Sequence, residues 1–269
     1  MEITWYGTAA IILREGDRAI AFDPFFGLPT GRLKDQTLAE TPKDGFLGVT
    51  DVFVTHGHFD HIYHLPALCS EADFQIHCTP TPRKTLMRRG VSPDRIKPMT
   101  AGMTDSVGPF TVTAYQSRHC RFDLGIIGKT IFRKRFFKHP IQIVRIAREN
   151  LRFPENGEIV LYEVACGEKR IQVLGSLALD AGTEYPTGAD VLILPFQGRS
   201  DLGKQGLDIV RRLTPRAVLL DHYDDTFPPI SGDIETKDFI KKLREQEHIP
   251  CRAMEKGKEI YVKTETTLG

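Results

Sequence analysis

The sequence predicts an α/β protein in which two sheets face each other, with helices outside both. Three observations carry this. Short apolar and β-branched runs recur along the chain, segments with helical spacing follow them in each half, and no linker rich in Gly, Ser or Pro divides the 269 residues. A single domain over residues 1–269 is the expectation.

ITWYG, AAIILREGD and RAIAFDP open the chain as three strands, with a hairpin at Gly16-Asp17 and an end at Asp23-Pro24. VTDVFVT (49–55) reads as a buried strand that delivers His56, 62–71 as a helix, and FQIHC (74–78) as another buried strand. A short helix over 80–89 stops at Gly90, and FTVTAYQ (110–116) alternates before Arg118-His119-Cys120. The pattern then weakens until EIVLYEVA (158–165) and RIQVLGS (170–176), which pair through a turn at Gly167-Glu168. The last third alternates: DVLILP, a helix over 202–213 with Leu207, Val210 and Leu213 on one face, and AVLLDH. A helix over 235–247 carrying Phe239, Ile240 and Leu243 follows, and EIYVK ends the pattern as a strand.

Composition bounds the function classes. At 41% hydrophobic and 26% charged residues the chain has the balance of a globular protein with a full core, not of a disordered one. A formal charge of +1 gives no overall attraction to nucleic acid or membrane. No apolar run approaches the roughly 20 residues that cross a bilayer, and the start, with Glu2 and no basic segment, reads as a strand pair and not as a secretion signal. Cys69, Cys78, Cys120, Cys166 and Cys251 are odd in number and lack CxxC spacing, so reduced thiols in a cytoplasmic protein are expected.

The stretch VTHGHFDHIYH (54–64) holds the chemistry: His56, His58, Asp60, His61 and His64 can all ligate a metal. Alternate residues of an extended loop point the same way, so His56 and His58 converge on one ion, while Asp60 and His61 lie past the bend and face a second position. Imidazole with carboxylate suits Zn²⁺ or another first-row divalent ion, Mn²⁺ or Fe²⁺ included. Gly57 is read as letting the backbone bend tightly between two ligands. The competing reading, a polar loop of solvated or helix-capping histidines, fits one His on a loop better than three His and one Asp within six residues at a strand end.

H-x-H-x-D-H after a buried strand resembles the signature of the metallo-β-lactamase superfamily, and the resemblance runs the length of the chain. The start ending in Asp23-Pro24, His119 at the end of FTVTAYQSRH and His222 in AVLLDHYDDTFPP match further family positions. It implies a four-layer αββα metallo-β-lactamase-type sandwich with one or two metals at an edge between the sheets. The first metal would take His56, His58 and His119, and the second Asp60, His61 and His222. The branch containing ascorbate-6-phosphate lactonase looks most similar. The family role of Asp23 is to brace a metal-binding histidine, which fixes its tautomer.

The chain departs from the pattern at one point. Where the family carries a bridging Asp, the aligned residues are Gly175-Ser176-Leu177, so a hydroxyl replaces a carboxylate and the second site should be weaker. Asp180 is either a substitute ligand or, as its distance favours, the cap of the next turn. Thr8-Ala9 stand where close relatives carry His-Ser, which removes a polar substrate contact. His64 is read as a helix-start residue near the rim. His77, His139 and His248 have no convergent partner in sequence, and Cys120 would point away from the metal in an extended segment.

Residues 118–152 hold ten Lys or Arg against Asp123 and Glu149, a local balance of +8 (10 − 2) within a basic insertion over residues 120–157. GKTIFRKRFFKHPIQIV interleaves aromatic and basic residues. It is read as attracting a small anionic substrate, as a peripheral membrane contact over residues 129–139 through Phe136 and Phe137, or as a solvated insertion or homo-oligomer contact. Nucleic acid ranks behind these because no nucleic-acid module is visible. The function expected is metal-dependent hydrolysis of an ester, lactone or phosphodiester bond, with Asp60 and His222 as catalytic groups. The alternatives are a metal-binding protein that has lost catalysis and a di-iron redox protein.

Overall fold

The computed structural model describes residues 1–27, 43–46, 48–120, 138–227 and 231–262. The predicted two-sheet architecture is what forms. One sheet runs in the order β14-β1-β2-β3-β4-β5-β6 and the other β13-β12-β11-β10-β9-β8-β7. The first is built from β1 (Glu2–Gly7), β2 (Ala10–Glu15), β3 (Arg18–Phe22), β4 (Val49–Phe53), β5 (Gln75–Cys78), β6 (Ile96–Pro98) and β14 (Glu259–Tyr261). The second is built from β7 (Thr104–Val107), β8 (Phe110–Ser117), β9 (Ile159–Cys166), β10 (Lys169–Leu174), β11 (Val191–Pro195), β12 (Val218–Asp221) and β13 (Cys251–Ala253).

Each sheet has antiparallel pairing at one end and parallel pairing at the other: β14, β1, β2 and β3 pair antiparallel and β3 to β6 parallel, as β7 to β10 and β10 to β13 do opposite. Parallel strands need crossovers, and the helices that supply them cover the outer faces. On the first sheet lie α1 (Phe59–Ile62), α2 (Leu65–Glu71), α3 (Pro80–Arg88) and α4 (Pro140–Arg152); on the second lie α5 (Leu202–Leu213) and α6 (Lys237–Lys242). Trp5, Phe22, Phe53, Phe110 and Tyr162 fill the space between the sheets, and two further apolar layers lie under the helices. This is the αββα sandwich. Among the described residues no helix is long and apolar enough to cross a membrane.

Several local expectations need correction. The helix expected over 62–71 is two pieces, α1 and α2, because Pro66 cannot donate to the carbonyl of Ile62 and the helix restarts with proline in its first turn. The helix expected over 235–247 is α6 followed by a π-helical turn, Leu243–Glu247. Strands β6, β7 and β13 were not legible: all lie at sheet edges, and short edge strands carry little apolar signal. Helix α4 was hidden in the weak stretch because its one buried residue is Glu149. Residues 121–137, which hold most of the basic stretch with Phe136 and Phe137, lie outside the described residues. All five cysteines are free thiols.

Candidate metal centre

The two sheets hold the His-rich loop from three sides. Phe53 accepts the N–H of Asp23 at 3.2 Å, the N–H of Val54 donates to His77 at 2.9 Å, and β9 supplies the N–H of Val160 to the Thr55 carbonyl at 3.0 Å. The buried Tyr162 hydroxyl donates to the Val54 carbonyl at 2.9 Å. The strand end is therefore tied to both sheets one residue before His56.

Behind the loop sits Asp23. Its Oδ1 accepts the N–H of Thr55 at 2.8 Å, and its Oδ2 accepts the Thr55 hydroxyl at 2.5 Å and lies 2.8 Å from His61 Nδ1. Because the Thr55 hydroxyl spends its one proton on Asp23, it can only accept from His56 Nδ1, 3.0 Å away. Both imidazoles thus carry the Nδ1 proton and turn Nε2 forward. His119 does the same by placing Nδ1 2.8 Å from the Cys120 carbonyl.

Two clusters result. Ligand atoms of His56, His58 and His119 all lie within 4.8 Å of one another, and so do those of Asp60, His61 and His222. His56 Nε2 and His222 Nδ1 are buried and have no hydrogen-bond partner among the described residues. A cation meets that deficit, and the donor chemistry fits one: burial first, then the neighbouring imidazoles, keeps His56 well below its usual pKa. Burial brings His58 down to about 4 and also lowers His119. Neutral imidazoles are what a metal requires. Burial alone would raise the Asp60 carboxyl, but the neighbouring His61 and the hydrogen bond from His222 outweigh it and hold it below the carboxylate range.

His222 comes from the end of β12 in the left-handed conformation (φ 56°), and its N–H donates to the Thr8 carbonyl at 2.9 Å. Thr8 is itself left-handed (φ 48°), and its N–H is shared by the Asp224 carboxylate oxygens at 3.0 and 3.1 Å. Lys256 closes the clamp, 2.7 Å from Asp224. Thr8 therefore works through its main chain, a role that the comparison with a His-Ser pair does not suggest. His222 Nε2 lies 3.5 Å from Asp60 Oδ2. Burial lowers its pKa, but the Asp60, Asp221 and Asp224 carboxylates more than compensate and the net shift is upward. Asp221, buried beside it, is pushed up to about 8.

The other sequence candidates separate cleanly. Ser176 lines the pocket and its hydroxyl accepts the N–H of Cys120 at 3.0 Å, which orients the turn carrying His119. Asp180 caps its own turn through the N–H of Gly182 and the Thr183 hydroxyl, and takes Arg118 Nε at 2.6 Å; it belongs to neither cluster. His64 packs among Phe25, Phe26 and Tyr63, where burial lowers it to about 4. His77 is not without partners: Asp51 lies 2.6 Å from Nε2 and Asp105 3.2 Å from Nδ1, which joins the two sheets. Cys120 lines the pocket, and its thiol is buried in the core cluster of the second sheet, 3.9 Å from the Gln197 carbonyl.

The reading of Gly57 also changes. Its φ is not positive; a Cβ there would meet the Pro154 carbonyl oxygen at 2.4 Å, so the glycine admits a close main-chain approach. Gly175 does the same for Thr55, whose Oγ1 would lie 2.2 Å from a Cβ. Thr55, Gly175, Asp224 and the pocket-lining Asn150 and Gln197 escaped the sequence reading. Only the acid-rich DHYDD around His222 offered a signal.

Comparison with known proteins agrees with this fold. The family model for the metallo-β-lactamase superfamily matches residues 3–140. A UPF0173 metal-dependent hydrolase of Methylobacterium nodulans is 28% identical over 251 residues, covering 90% of this chain and 92% of that protein. Further relatives of that name align over 48% of their own length. Igni18, a metallo hydrolase from the archaeon Ignicoccus hospitalis, superposes with a TM-score of 0.64 at 19% identity, covering 97% of this chain and 99% of its own. CmlA, a diiron β-hydroxylase from Streptomyces venezuelae, gives a TM-score of 0.61 at 12% identity over 97% of this chain and 54% of its own. At such identities the structural likeness is one of fold. With the family model matched over half the sequence, the chain belongs to the metallo-β-lactamase superfamily.

Proposed function

We propose that the chain is a metal-dependent hydrolase acting on an ester, lactone or phosphodiester bond of a small anionic substrate, with His56, His58 and His119 as its principal cation site. The observation that carries this is the buried, unpartnered Nε2 of His56, aimed with its tautomer already set at two further imidazoles. Zn²⁺ suits three imidazoles best, with Mn²⁺ and Fe²⁺ as the other candidates, and such a cation when bound supplies Lewis acidity and a water acidified to a pKa of about 7. The name of the Methylobacterium relative supports the reaction class.

The chain's own groups then divide the work. Asp60 stays ionised at the pocket wall and accepts a hydrogen bond from the attacking water, which orients it. His222, 3.5 Å from it, holds its proton more firmly than a free imidazole and donates it to the leaving group. When the second cluster binds a cation instead, Asp60, His61 and His222 are its donors. With Ser176 in place of a carboxylate, Asp60 is then the one negative charge among them. The excess of basic residues over 118–152 supports an anionic substrate.

Metal analysis with a panel of aryl esters, lactones and a bis-aryl phosphodiester tests the proposal. Stoichiometric metal with hydrolysis of one class, both abolished by His56→Ala, is the expected result. Ser176 favours a second reading, a metal-binding protein without catalysis, which near-stoichiometric metal with no turnover on any class would establish. Iron with oxygen consumption would replace both with redox chemistry.

A further inference from the structure

Helix α4 packs Ile146 against the core under the first sheet but leaves much of its apolar surface outside. Its inner side presents Glu149, which is buried and paired with Arg152 at 3.1 Å and Arg89 at 3.6 Å. Its outer side presents Ile141, Val144 and Leu151, exposed by 78%, 66% and 86%. The other exposed large hydrophobics of the described residues, Met87, Met103 and Tyr261, lie between 37% and 48%. At 100° per residue Ile141, Val144, Arg148 and Leu151 share one stripe with Arg152 at its edge, whereas Arg145 has its Nε and Nη2 buried in the protein. The only carboxylate of α4 is Glu149, turned inward, so this face of α4 is apolar and cationic with no acid of its own.

We propose that this face of α4 docks on an anionic lipid surface. The chemistry matches on both counts: aliphatic side chains enter the headgroup–acyl boundary while arginines meet lipid phosphates. A second copy of the chain fits less well, because a two-fold contact would set like-charged arginine faces against each other. At 13 residues α4 is too short to span a bilayer, so it lies on the surface. The inference does not depend on the hydrolase reading.

Vesicle co-sedimentation of the full chain tests it. Binding to vesicles of equal parts phosphatidylcholine and phosphatidylglycerol is expected, with none to phosphatidylcholine alone, and the binding should weaken with salt. The double change Ile141→Ser with Leu151→Ser should lower the partition roughly tenfold or more, and Arg148→Gln about fivefold. Both variants should keep the wild-type circular dichroism, melting temperature and metal content, because the side chains removed make no core contact. Absence of wild-type binding to the anionic vesicles overturns the proposal. So does binding that neither variant weakens. A wild-type dimer in sedimentation, dissolved by the double serine variant and indifferent to vesicles, would assign the face to a second copy instead.

Discussion

Asp23 holds Thr55 by two hydrogen bonds, 2.8 Å from its N–H and 2.5 Å from its hydroxyl, and with its further contact to His61 sets both halves of the candidate metal centre. His56 is oriented through the Thr55 hydroxyl and His61 by Asp23 directly, so one buried carboxylate stands behind a histidine of each cluster. Substitutions at the two residues should therefore differ. Asp23→Ala should weaken metal affinity at both clusters by roughly 10–100-fold. Thr55→Val should act mainly on the cluster containing His56. Titration of the apo-protein with Zn²⁺, followed by calorimetry, separates the two; equal losses at both clusters from Thr55→Val would refute the assignment.

Ser176→Asp restores a carboxylate at the pocket wall and leaves an oxygen able to accept the Cys120 N–H. Occupancy of the second cluster should rise, and hydrolytic rate with it. Unchanged metal content under saturating Zn²⁺ would show that Ser176 is not what limits this cluster.

Gly175→Ala places a methyl group 2.2 Å from Thr55 Oγ1, and Gly57→Ala one 2.4 Å from the Pro154 carbonyl oxygen. Overpacking of this kind costs about 1–3 kcal/mol. Gly175→Ala should in addition lower metal affinity, because Thr55 can yield only by releasing His56. Thermal unfolding with and without chelator reads both effects. A Gly175→Ala protein with wild-type stability and wild-type metal binding would contradict the packing described.

His77 bridges Asp51 and Asp105 across the two sheets, and this triad gives the stability a pH dependence away from the metal centre. Burial alone would raise the Asp51 carboxyl; hydrogen bonds with His77 and Thr50 and the charge of His77 outweigh it, so the net shift is downward. A carboxyl depressed on folding stabilises the native state above its unfolded pKa, about 3.9, and loses that contribution as pH falls through the folded value. Asp51→Asn should therefore cost about 1–3 kcal/mol at neutral pH. The gap to wild type should narrow below about pH 4. Urea unfolding across that range checks it, and a gap constant with pH would count against the triad.

The local part of this protein was legible in its sequence. Period-two runs and their turn residues located most of the strands, and the crowding of His56, His58, Asp60 and His61 at a strand end marked the metal centre without any knowledge of what lies across from it. The order of strands and helices suggested two facing sheets with helices outside both; the family resemblance named that αββα sandwich and brought His119 and His222 into the set by their place in its pattern. Packing decided the rest. Which imidazole nitrogen faces forward depends on Asp23 and Thr55, 32 residues apart in sequence and brought together by the parallel pairing of β3 with β4. Gly57 and Gly175 are glycines because another segment passes within van der Waals distance, a fact no local pattern encodes. Helix α4 shows the same limit in reverse: its sequence is amphipathic, but the side it turns inward carries Ile146 against the core and Glu149 beside Arg89, partners that lie outside the helix. Spacing specifies what a segment can form, whereas orientation, tautomer and close approach are properties of the contacts it makes with distant parts of the chain.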